Sequence, residues 1–113
     1  PTNSLINNNK WRHVVISIDR DVSAKWYIDG IVDNTGTGVT TRQGSLTNTA
    51  SPSIGLYSTI YFSGLLDNFR IYNSAVPISL IRRDYYIGLN NLLINGGITK
   101  DEYLSRINNI ANK

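Results

Sequence analysis

The sequence predicts a mainly β protein, a run of antiparallel strands followed by a helical tail. Three observations predict it. Apolar and polar residues alternate with period two from Trp11 onward, the dipeptide Asp29-Gly30 turns one such run back on itself, and after Pro77 the apolar spacing changes to three and four. A chain of 113 residues supports one small core.

Residues 1–10 are polar and turn-like. From 11 to 19, β-branched and aromatic residues dominate, with Val14, Ile16 and Ile18 on a greasy face and Trp11, His13, Val15 and Ser17 on a mixed one. Residues 20–24 form a polar connection, and 25–29 a second strand that sets Trp26 and Ile28 against Lys25, Tyr27 and Asp29. A type I′ turn needs φ > 0 at both central positions, which suits Asp29-Gly30, so a hairpin leads into a strand at 31–33. Residues 34–53 are a Thr-, Gly-, Ser- and Asn-rich stretch with turns at Gly36 and Gly44 and a short strand around 38–41. Short strands at 53–57 and 61–62 flank a polar turn. Residues 65–72 form the strongest strand of the second half, alternating Leu65, Asp67, Phe69 and Ile71 with Leu66, Asn68, Arg70 and Tyr72.

Beyond Pro77, Ile78, Ile81 and Tyr85 take helical spacing, with Gly88 as the expected stop. Residues 89–94 add a further helical turn or two, ended by Gly96-Gly97. Thr99 caps the last helix, because Glu102 stands three residues on at the capping-box spacing, and Leu104, Ile107 and Ile110 form its apolar stripe. The expected division is 1–77 for the sandwich portion and 78–113 for the helical tail.

Composition narrows the function classes. Hydrophobic residues at 41% and charged residues at 17% exclude a disordered chain, and the apolar runs are too short to span a bilayer. The net charge of +3 is spread singly, with Arg82-Arg83 the adjacent basic pair, which reads as a solvated surface and not a nucleic-acid stripe. The absence of Cys excludes disulfides, thiolate metal sites and cysteine nucleophiles. A chain that opens Pro1-Thr2-Asn3 reads as a processed or trimmed piece.

The runs Trp11-Arg12-His13-Val14-Val15, Trp26-Tyr27-Ile28-Asp29-Gly30, Ser53-Ile54-Gly55 and Phe62-Ser63-Gly64-Leu65-Leu66-Asp67-Asn68-Phe69-Arg70-Ile71-Tyr72-Asn73 occur in an order that resembles LamG-like jelly rolls of the concanavalin A-like lectin/glucanase superfamily. The resemblance covers about residues 10–85 and implies antiparallel sheets packed face to face. It also implies that the N-terminal strands of the sandwich come from outside this chain, from the same precursor or a neighbouring protomer, since half a sandwich would leave one core face open. Residues 89–103 resemble the helical hairpin of SHOCT-like modules and small phage tail proteins, which points to an extracellular or virion surface.

His13, the single imidazole, sits in a strand, where a packed, hydrogen-bonded role is simpler than catalysis. Glycosidases need paired carboxylates about 5.5 Å apart, and no Glu precedes Glu102, so the enzymatic signature is absent from these residues. Exposed aromatics flanked by amides suit sugar binding: Tyr57 and Tyr61 bracket a Ser-Thr loop, with Asn34, Arg42 and Asn48 as polar partners. Alternatively the tyrosines cover a sandwich edge. Asp67 is the candidate ligand for a structural Ca²⁺, as the resemblance implies, or else a carboxylate that accepts from loop amides or Arg70. Asp19 and Asp29 read as turn acceptors. These features predict a non-catalytic recognition or attachment module for surface glycan or protein, such as a virion or phage tail component. The alternatives are a purely structural assembly subunit and the accessory domain of a larger carbohydrate-active enzyme.

Overall fold

The structure, a computed structural model, describes residues 6–113. The turn-like reading of residues 1–5 lies outside the described residues. The elements run β1 (Val14–Asp19), β2 (Ser23–Ile28), β3 (Ile31–Gly36), β4 (Leu56–Tyr57), β5 (Ile60–Tyr61), α1 (Ile78–Ile94) and α2 (Lys100–Ala111). They fall into two compact units, one reaching Gln43 and resuming over Ser74–Lys113, the other Gly44–Asn73.

In the first unit β1, β2 and β3 form an antiparallel meander in that order. Asp29 at φ +53 and Gly30 at φ +77 make the β2–β3 turn, as the dipeptide predicts. The register places Val14, Ile16 and Ile18 across from Ile28, Trp26 and Ala24 on one face, and Trp26 lies over Gly36, the last residue of β3 and not a turn. On the other face the Ser17 hydroxyl accepts from the Val76 amide and donates to the Val76 carbonyl, fastening the chain that leads into α1. The core lies where the helices meet the sheet's turn: Tyr85, Leu89 and Ile110 are buried and Ile31, Ile98, Tyr103 and Ile107 pack around them. Thr99 Oγ1 accepts from the Glu102 amide at 3.2 Å, the cap the spacing predicts.

Several expectations are corrected. Helix α1 runs straight through Gly88 and stops at Asn95, where Gly96 (φ +72) and Gly97 return their amides to Leu93 and Leu92. A helical glycine costs about 1 kcal/mol, less than the burial of the adjacent Leu89, which is 1% exposed. Residues 38–41 form a turn instead of a strand, with Gly38 at φ +85 and the Thr41 hydroxyl donating to the Gly38 carbonyl.

In the second unit β4 and β5 pair as a two-residue-per-strand ribbon. Residues 65–72 carry no ladder, and their alternating apolar side chains are exposed. Alternation marks a segment that fits a sheet, but a strand exists only where a neighbour pairs with its backbone, and here Asn68 turns to φ +53 with its amide on Asp67 Oδ1. The described residues therefore build one three-stranded sheet, one ribbon and a helical pair; the opposing layer of a face-to-face sandwich is not formed among them.

Candidate functional site

Within Gly44–Asn73, Leu56 pairs with Tyr61 and Tyr57 with Ile60, joined by a two-residue turn with Ser58 at φ +57. Paired residues share a face and successive residues alternate, so Tyr57 and Tyr61 project from opposite faces of the ribbon. Their side chains are 82% and 76% exposed. Neither ring covers an edge; each offers a flat apolar surface and a phenol to solvent. In the same unit Asn48 turns inward on its own loop, its Oδ1 accepting from Ala50 and its Nδ2 donating to Leu46. Asp67 is exposed, and its Oδ1 accepts the Asn68 amide at 2.7 Å. It is the sole carboxylate in this stretch of sequence, and among the described residues no three His, Cys, Asp or Glu side chains gather as a metal cluster. Calcium requires six to eight oxygens, and Asp67 supplies one free carboxylate oxygen.

The other two predicted partners belong to the first unit. Asn34 stands in β3 across from Trp26. Arg42 contributes its carbonyl, which accepts from the Arg20 guanidinium through Nε at 3.0 Å and through Nη2. The five predicted ligand-binding residues are thus divided between the two units.

A polar cluster that spacing does not reveal joins residues 10–13 to the β2–β3 turn and to α2. Asp29 Oδ1 accepts the His13 amide at 3.0 Å, and Oδ2 accepts from Arg12 Nη1. Arg106 donates to the Trp11 carbonyl at 3.0 Å and to Glu102 Oε1 at 2.8 Å, and Lys10 Nζ reaches that same oxygen at 3.2 Å. The bonds from Arg106 and Lys10 hold the Glu102 carboxyl below its ordinary range. Burial alone would lower the Arg106 value; its bond to Glu102 and the charges of Tyr85 and Asp29 raise it instead. Burial, with the nearby Asp29 charge, pushes the Tyr85 phenol up to about 12. The His13 ring packs on Tyr85 at 5.9 Å between centroids, tilted by 41°. Asp29 accepts both from the His13 amide just ahead of β1 and from a guanidinium, so its place is architectural, as is that of Asp19, whose Oδ1 accepts from the Asp21 amide.

Residues 1–80 match the Laminin_G_3 family, described as the concanavalin A-like lectin/glucanases superfamily. Among solved structures, an S-layer domain-containing protein (residues 221–444) from Clostridium thermocellum ATCC 27405 superposes with a TM-score of 0.50 at 19% sequence identity, over 74% of this chain and 43% of that one. That likeness shows a shared fold, and the chain spans less than half the length of the structure it matches. No curated protein matches the sequence.

Proposed function

This chain belongs to the concanavalin A-like lectin/glucanase superfamily, and we propose that it serves as a non-catalytic recognition module at an extracellular or virion surface, binding glycan or surface protein. The observation that carries this reading is the β4–β5 ribbon, which holds Tyr57 and Tyr61 almost wholly in solvent. An apolar ring that buries nothing in its own fold is available to stack on the C–H face of a pyranose or to anchor a protein contact. The likeness to an S-layer domain-containing protein supports a surface location. Asn48, in the same unit as the ribbon, is the polar partner of this reading, and Asp67 is the residue that would hold Ca²⁺.

The exposed Val14, Ile16 and Ile18 belong, in this reading, to a sheet face covered by strands from the same precursor or a neighbouring protomer. A glycan array tests the function. Binding that falls at least roughly tenfold in Tyr57→Ala and Tyr61→Ala, with unchanged Tm, supports it; full binding by the double variant removes the ribbon as the site, and silence across the array leaves a structural subunit.

A further inference from the structure

We propose that the cleft between Trp11 and helix α2 is a saccharide subsite that admits a single hexopyranose ring and is distinct from the tyrosine ribbon. The proposal rests on the glycan-recognition reading but on different residues. The cleft holds about 270 Å³ between Asn9, Lys10 and Trp11 on one side and Ile98, Glu102 and Arg106 on the other. This lies just under the roughly 300–1,000 Å³ of sites for drug-sized ligands, which suits one ring.

The two sides are fixed to each other. Arg106 bonds the Trp11 carbonyl through Nη1 and Glu102 Oε1 through Nη2, and Lys10 adds a second bond to Oε1. With Oε1 taken, Glu102 Oε2 remains as an acceptor, and the two cations keep the carboxylate ionised at neutral pH. Trp11 is 42% exposed and lines the cleft with Asn9, so an aromatic surface, an indole N–H donor and a side-chain amide are present on that wall. A pyranose needs this combination: an apolar C–H face set against an aromatic plane, and hydroxyls that both donate to a carboxylate and accept from N–H groups.

The test is an NMR titration of the whole chain with a panel of methyl hexopyranosides, following the Trp11 indole N–H. At least one sugar should shift that resonance saturably. Glu102→Gln, which keeps an Oε1 acceptor, should weaken that binding by roughly tenfold on the same resonance, and Trp11→Phe, followed on the backbone amides of Glu102 and Arg106, should do likewise, while Tyr57→Ala and Tyr61→Ala leave it unchanged. Sugar binding that is lost only in the tyrosine variants, with the Trp11 resonance unmoved, overturns the subsite and leaves the proposed function standing. A Trp11 resonance that no sugar of the panel moves likewise overturns the subsite, and the glycan array then decides the ribbon on its own.

Discussion

A Cβ on Gly30 would stand 3.3 Å from both Arg82 Cγ and Ile110 Cδ1, at a backbone φ of +77. Gly30→Ala should therefore cost about 1–3 kcal/mol in urea unfolding, because positive φ and crowding add at one position. Next to it, Asp29→Ala leaves Arg12 partly buried without its carboxylate and the His13 amide without its acceptor, a loss of about 3 kcal/mol. Tyr85 gives a pH signature. Its phenol titrates near 12 when folded and near 10 when unfolded, so the folded state binds more protons between those values. Its contribution to stability is whole below pH 10 and disappears as pH rises toward 12, which thermal melts across that window should record, with Tyr85→Phe flattening the slope. The Asp29-Gly30 turn is legible in sequence because its geometry is local. The partners Arg12, Glu102 and Arg106 are not, since their meeting depends on how distant elements pack.

Among the elements, α2 shows most directly how a spacing becomes a structure. Removing the hydroxyl that caps Glu102 in Thr99→Ala should cost about 1 kcal/mol, read as a lower Tm. Helix α1 offers the opposite change: a Cβ on Gly88 meets nothing within 4 Å, so Gly88→Ala should add about 0.5–1 kcal/mol. The sequence marks Gly88 as a stop because helix propensity is a local preference, and burial of Leu89 overrides it. Residues 65–72 fail in the converse way. Their alternation is as clear as that of 14–18, but β1 has β2 to pair with through a short connection, and among the described residues no strand pairs with 65–72. Tyr57 and Tyr61 were legible as exposed aromatics, whereas their opposite faces emerge only from the Leu56↔Tyr61 register. Since the rings cannot stack on one sugar, Tyr57→Ala and Tyr61→Ala should act independently, with additive losses in binding free energy.

At the level of the whole molecule, the sheet face bearing Val14, Ile16 and Ile18, at 47%, 54% and 53% exposed, is the feature that most shapes behaviour in solution. Apolar patches of this kind mark interaction surfaces. Replacing the three residues by Thr keeps β-branching and should reduce self-association by light scattering, while changing stability by no more than about 0.5 kcal/mol per site. The antiparallel strands of 14–36 could be read from periodicity, and the superfamily from motifs that the family match over residues 1–80 bears out, while the second layer of a sandwich is not formed among the described residues. The union of the helices with the sheet could not be read, because nothing in the local pattern of 78–113 says which strands it packs upon. That union also imposes an order of events in the cell. The Gly30 turn leaves the ribosome long before Ile110, the side chain that closes over it, so during translation the nascent hairpin waits uncovered and is then most vulnerable to proteases and to the wrong neighbours.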